Sequence, residues 1–486
     1  MITFLVSLVA LVVGYFVYGK IVERVFSPDD RQTPAVKKAD GVDFMVLPEW
    51  KVFMIQFLNI AGTGPVFGAI LGAKFGPAAY LWIVLGCIFA GAVHDYLSGM
   101  LSMRNGGSGL PELVGKYLGG KVKNVMLVFS VFLLMMVGAV FVYSPALILG
   151  NICGDSLTWV YIWCVLIFAY YFIATMMPID KIIGRIYPLF AFSMLFMAVA
   201  LLGVLLVKWP SLPELTDGIE NMSPSSGTIF PCLFITIACG AISGFHATQS
   251  PLMARCVAKE KQGRPLFYGA MITEGIVALI WATVSMYFFY GGAAEELGVP
   301  ATLQAPEVVT AVSEGWLGII GGALAMLGVV AAPITSGDTA LRSARLIIAD
   351  FIKLEQRSKR RRLYISVPLF VATFGLLWFN ISDADGFNII WSYFGWANQT
   401  LAVFTLWMIT VYLVRKKKNY IITLIPAVFM TSVCVSFLLV SKNSFGLSSE
   451  VGYISAVVVA VLSVMFFLVW HKKTVKKGLC DDRFDE

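Results

Sequence analysis

The chain has 486 residues, 58% of them hydrophobic and 13% charged, about half the charged fraction usual in soluble domains. Its apolar runs repeatedly approach ~20 residues, the length that crosses a hydrocarbon core as a helix. That excludes a soluble enzyme, and runs this long and continuous exclude the short alternating strands of a membrane barrel; the net charge of +7 matters through its placement.

Spans are expected near 2–19, 50–72, 77–102, 124–150, 157–177, 186–207, 228–252, 266–290, 316–340, 363–381, 388–414, 420–440 and 451–470, about thirteen in all. The first lacks the basic flank and small-residue cleavage site of a signal peptide, so it reads as a retained crossing. With these spans, one set of alternate loops collects 33 of the 36 Lys and Arg residues and the other only three. Positive charge is retained on the cytoplasmic side, which predicts an external N-terminus and a cytoplasmic C-terminus. The chain divides into an N-terminal helix and loop (1–49), a first five-helix repeat (50–208), a second (209–414), and two accessory helices with a short tail (415–486).

The second span contains Asn59-Ile60-Ala61-Gly62-Thr63-Gly64-Pro65. Its glycines weaken a helix, and Pro65 removes a donor and clashes with the preceding turn. Freed backbone at membrane depth survives only when buried in protein or lining a cavity. The seventh span is interrupted in the same way over Ile237–Pro251, including Ser243, Gly244 and His246. Paired breaks in two halves of a chain mark a transporter's central site. Lying five spans apart, the two cross in opposite directions, as an inverted repeat requires; Phe57, Ile60 and Ala61 recur as Phe234, Ile237 and Ala238. A kink for close helix packing is the plainer explanation of either break alone.

Ionisable groups deep in spans are costly and point to function. The third span carries His94-Asp95, with Gly91, Ser98 and Gly99 on the face of Asp95 that a neighbouring helix can approach. Asp95 can couple an ion or simply receive the free amides of a broken helix. His246 can exchange a proton near working pH, or hydrogen-bond a freed carbonyl. A zinc set of His94, Asp95 and His246 is disfavoured because adjacent residues point to different helix faces. Glu274, early in the eighth span, reads as interfacial. The ninth span ends Pro333-Ile334-Thr335-Ser336-Gly337-Asp338-Thr339, where hydroxyls and a carboxylate offer hard oxygen ligands; Asp338 can also pair with Arg342 one turn on. The eleventh span opens with Asn388 to Thr400, in which Trp396, Asn398 and Gln399 suit the wall of a polar site, and Trp391 and Tyr393 an interfacial belt.

Other patterns carry nothing. The cysteines at 87, 153, 164, 232, 239, 256, 434 and 480 lack C-x-x-C spacing and read as packing residues. Gly109 to Lys116 has one residue too many for a phosphate-binding loop, and Tyr117 stands where it needs Ser or Thr. The basic run Arg357–Arg362 abuts a span, which suits topology and anionic lipid better than nucleic acid.

Asp43-Phe44 through Trp50, the break Asn59–Pro65, Gly91–Gly99, Gly106-Gly107-Ser108-Gly109-Leu110-Pro111-Glu112, Pro333–Thr339 and Gly395–Gln399 together resemble the carbon starvation protein A family. The resemblance implies a bacterial inner-membrane importer of peptides or of pyruvate, proton-coupled in the latter case. It implies the leucine-transporter type of five-plus-five inverted repeat, with the two breaks as that fold's unwound helices. It also implies that Thr335 and Ser336 stand where sodium-coupled relatives place hydroxyl ligands, with sodium between them and the carbonyl of Ala61. The better-known members extend further at the C-terminal end. The expectation is therefore an all-α polytopic transporter that binds substrate at Asn59, Ala61, Gly62, Thr63, Gly64, Ser243, Gly244, His246, Trp396, Asn398 and Gln399. Ion coupling is expected at His94, Asp95, Thr335, Ser336 and Asp338, by H+ or else Na+, with no cofactor and no metal. A sodium symporter of amino acids or small carboxylates is the alternative, and a channel is the rival of another class. A membrane-embedded hydrolase lacks a visible nucleophile–base pair.

Overall fold

The computed structural model describes residues 1–39, 44–154, 156–176, 183–354, 358–383 and 385–478; Asp43, Arg357 and Cys480, used above, lie outside them, as does Asp155. The described residues are helical and form no β-strand, apart from one isolated bridge between Gln32 and Lys259. Among the described residues, eleven helices are long and apolar enough to cross a bilayer, and a bent pair makes a twelfth crossing. In chain order these are α1 (Ile2–Phe26), α2 (Glu49–Ala61 as α2a, Gly64–Ala73 as α2b), α3 (Ala78–Arg104), α4 (Gly120–Gly154), α5 (Leu157–Met176) and α6 (Tyr187–Lys208). The seventh expected crossing holds only short pieces, α7a (Phe234–Thr236) after a wide turn at Ile229–Leu233, and α7b (His246–Ala254). Then follow α8 (Glu260–Tyr290), α9 (Ala305–Ala349), α10 (Arg360–Ser382), α11 (Gly386–Arg415), α12 (Ile421–Val440) and α13 (Ser449–Lys476).

The two interruptions fall where glycine and proline place them. α2a ends at Gly62, whose φ of 45° and ψ of −135° leave the helical region, and the two halves of α2 meet at a bend of 52°. A side chain at that positive φ is strained. In the seventh segment the backbone leaves the helix at Ile237, with φ −92° and ψ 79°, and resumes at His246. The ninth expected span is longer than anticipated: α9 begins at Ala305 and turns sharply at Gly318, with φ 66° and ψ −173°, so 305–317 forms a separate helical arm.

Burial separates core from periphery. α3, α8 and α11 are largely enclosed, and only 11% of the apolar window of α13 is buried, so this helix presents Ile454, Val457, Val461 and Phe466 outward. An apolar surface of that extent requires lipid or protein cover. The two breaks lie against each other at the centre. A Cβ built on Gly64 would come within 2.2 Å of the Cβ of Cys239 and 2.4 Å of its Sγ. α3 packs on the same place: a Cβ on Gly91 would meet the carbonyl oxygen of Ala241 at 2.2 Å.

Candidate substrate and coupling site

The second break is held open by side chains from α11. Asn398 accepts the amide of Phe245 on Oδ1 at 2.8 Å and the hydroxyl of Ser243 at 3.1 Å. Its backbone carbonyl accepts the amide of Gly244 at 3.2 Å, and its Nδ2 donates to Cys239 Sγ at 3.6 Å. Asn398 thus satisfies backbone groups that unwinding frees, which gives it the role of a cap on α7b. Gln399 donates Nε2 to the carbonyl of Phe234 at 3.2 Å, while its Oε1 has no partner. Trp396 is turned the other way, donating Nε1 to the carbonyl of Cys434 on α12 at 3.1 Å. Trp391, expected in an interfacial belt, is instead buried against Phe67 and Phe394, at ring-centroid distances of 6.1 and 5.4 Å.

Beside this break four ionisable side chains from three elements form a line, all fully buried. Asp95 receives Nδ1 of His94 on Oδ1 at 2.7 Å and Nδ1 of His246 on Oδ2 at 2.8 Å. Nε2 of His246 then faces Oε2 of Glu274 at 3.5 Å. Two expectations change here. Glu274 is 0% exposed and is part of the central cluster, because α8 is enclosed along this stretch. His94 and Asp95, though adjacent on α3, do converge, because the ring of His94 turns onto the carboxylate beside it. Both oxygens of Glu274, Nε2 of His246 and Nε2 of His94 lack hydrogen-bond partners.

The first break carries further unpaired polar atoms: the amide of Gln56, Oδ1 of Asn59 and Oγ1 of Thr63. Buried polar groups are normally satisfied, so such a concentration calls for a ligand, ion or water. Ser336 reaches this break from α9, its hydroxyl 3.4 Å from the carbonyls of both Leu58 and Asn59. Thr335 turns back onto its own helix, donating to the carbonyls of Ala331 and Ala332 at 3.0 and 2.9 Å. Asp338 faces Arg342 at 3.5 Å across one helical turn, the ion-pair arrangement weighed above, and Arg342 also donates to the carbonyl of Ala174 at 2.5 Å.

Sulfur, nitrogen and oxygen donors of Cys239, His246 and Glu274 lie within 4.8 Å of one another. A tetrahedral ion bound at about 2.0–2.3 Å needs its donors roughly 3.5 Å apart, so this set would have to contract to hold one. Cys239 and Glu274 are the residues of this cluster that sequence reasoning left out. Glu274 had a usable signal, as the lone carboxylate in the apolar stretch of α8.

One end of the molecule is tied together by charge. Arg104, at the end of α3, donates to Glu260 through Nε at 2.8 Å and Nη2 at 3.1 Å. It also reaches the carbonyl of Ser27 at 2.9 Å and the hydroxyl of Tyr412 at 3.1 Å, and lies 3.9 Å from the centroid of the Phe26 ring. At the other end a cavity of about 650 Å³ descends to Ile235, Thr236 and Trp391, one residue short of the unwound stretch.

Three comparisons bear on this arrangement. A family described as "Carbon starvation protein CstA" matches residues 1–152, 150–317 and 311–436. A Haemophilus influenzae protein named "Uncharacterized membrane protein" is 46% identical over 342 residues, covering 60% of this chain and 91% of its own. Proteins named "Peptide transporter CstA" are 27% identical in Bacillus subtilis, covering 87% of each chain, and 25% identical in Escherichia coli, covering 85% of this chain and 76% of that protein. Among solved structures, the Eremococcus coleocola manganese transporter superposes with a TM-score of 0.54 at 12% identity, covering 90% of this chain and 99% of that one. The structure of MhsT in complex with L-phenylalanine gives 0.54 at 15% identity, covering 86% and 97%. These two likenesses concern the fold, which is that of leucine-transporter-type proteins with two broken helices.

Proposed function

Because the chain belongs to the carbon starvation protein CstA family, we propose that this multi-pass membrane transporter is a secondary active importer of peptides or pyruvate, working by alternating access and driven by protons. Substrate sits between the breaks at Asn59–Gly64 and Ser243–His246, where amides freed by unwinding hold a carboxylate and freed carbonyls hold an ammonium. The unpaired atoms of Gln56, Asn59 and Thr63 support that placement.

The observation that carries the proton reading is the buried line His94–Asp95–His246–Glu274. Its two carboxyls have different surroundings. Asp95 is bracketed by two imidazoles, and charge-assisted hydrogen bonds of that kind favour a resting anion. Neither oxygen of Glu274 has a hydrogen-bond partner, the nearest imidazole nitrogen standing 3.5 Å away, and burying so weakly paired a charge is costly, so Glu274 is where a transported proton resides. His246, between them and beside the unwound backbone, passes the proton and transmits its presence to the substrate site. The proton-carrying role expected of Asp95 thereby moves to Glu274, with Asp95 orienting the histidines.

Uptake of labelled pyruvate and labelled dialanine into proteoliposomes tests this. Glu274→Gln is expected to abolish proton-driven accumulation while leaving counterflow exchange within about threefold, as loss of coupling without loss of binding requires. Accumulation that survives collapse of the proton gradient but requires sodium at fixed pH favours the second reading. That reading rests on Ser336 facing the carbonyls of Leu58 and Asn59, hard oxygen donors that suit a sodium ion.

A further inference from the structure

We propose that the cavity leading to the second break is an anion-capture vestibule, the first station for small organic carboxylates; this rests on the transport reading above. Its walls come from the end of α2b, the loop before α7a, the start of α11 and the connection between α12 and α13. Two residues carry charge there, Lys74 and Lys442, and no Asp or Glu lines it.

That placement is selective. The alternate loops on this side of the chain hold only three of the 36 Lys and Arg residues: Lys74, Lys208 and Lys442. Lys208 is paired with Glu296 at 2.5 Å. The remaining two both line the cavity that descends toward the break. Lys74 is held over the Phe289 ring, its Nζ 5.0 Å from the centroid, a contact that orients the ammonium without neutralising it. A concave site with one sign of charge and low-dielectric walls concentrates the opposite ion.

The floor sets the class of anion. Ile235 and Trp391 are apolar surfaces beneath the lysines, and the indole Nε1 of Trp391 is buried without a partner. A carboxylate bearing a short apolar group can meet the ammonium groups and lay that group against Ile235 and Trp391. Inorganic phosphate has nothing to offer that surface.

Two measurements test the vestibule. In proteoliposomes, Lys74→Gln with Lys442→Gln should raise KM for pyruvate about five- to tenfold, leave kcat within about twofold and flatten the salt dependence of uptake. An unchanged KM, or an effect confined to kcat, overturns the proposal. Wild-type protein that takes up neither pyruvate nor dialanine defeats the transport reading, and a second assay then decides the vestibule alone. In the purified protein, pyruvate should slow acylation of Lys74 and Lys442 by an impermeant N-hydroxysuccinimide ester, read by mass spectrometry, without protecting Lys208. Equal protection by inorganic phosphate, or no protection by pyruvate, overturns the assignment.

Discussion

Glu274 and Asp95 have the same chemistry and the same burial, and their neighbours divide the labour between them. Asp95 faces two imidazole nitrogens within 2.8 Å, whereas neither oxygen of Glu274 has a hydrogen-bond partner. Asp95→Asn keeps the shape but removes the anion that orients both rings. It is expected to reduce exchange as well as driven uptake, by about 100-fold, whereas Glu274→Gln spares exchange. Counterflow assays on the two variants separate them, and equal loss of exchange in both would contradict the division. Gly62 offers a sharper test. A Cβ there would lie 3.0 Å from the Phe141 ring at a φ of 45°, so Gly62→Leu should abolish uptake while the protein still inserts and folds. Normal uptake by this variant, at wild-type expression, would mean that the break is a packing kink.

The breaks in α2 and the seventh segment touch through Gly64 and Cys239, which brings two independent interruptions together. Gly64→Ala places a methyl group on the Cβ and Sγ of Cys239 and should cut uptake at least ~10-fold, since overpacking a tight contact forces the backbone to shift. Adding Cys239→Gly removes both clashing atoms, leaving the Cα at 3.6 Å, and should restore most of the loss. Failure of the second change to rescue the first would show that the breaks do not pack as described. The Arg104–Glu260 pair at the other end follows similar logic. Glu260→Gln leaves the guanidinium of Arg104, 5% exposed, without its carboxylate, a loss of about 3 kcal/mol for a buried pair. With Cys256 as the single cysteine, maleimide labelling is expected to quicken several-fold as this end opens. An unchanged rate would place the gate elsewhere.

At the scale of the whole molecule, the thirteen spans expected from the sequence put Lys and Arg mostly on one side, and the Arg104–Glu260 pair and the Lys74–Lys442 cavity fall on opposite sides of that count. Substituted-cysteine labelling in intact cells should therefore find positions 38, 262 and 417 protected and position 296 accessible. Equal accessibility at 262 and 296 would contradict the opposed crossing of α7 and α8 and with it the inverted repeat.

Read alone, the sequence determined the membrane class, most of the spans and both breaks. Hydrophobic length, glycine and proline act locally, and the helix-breaking effects of Gly62 and Pro65 need no distant partner. It also singled out His94, Asp95, His246 and Ser336, because charge and hydroxyls in apolar runs stand out wherever the helices pack. Only tertiary structure decided which of these meet. Glu274 joins His246 because α8 crosses beside the second break, Trp396 leaves the site because its face of α11 turns to α12, and Asp338 looks to Arg342 on its own helix. The rotation of a helix about its axis is set by contacts far apart in the chain, and a buried carboxyl takes its role from what packs around it. Lys74 and Lys442 lie 368 positions apart in the sequence, and only the fold brings them to one cavity.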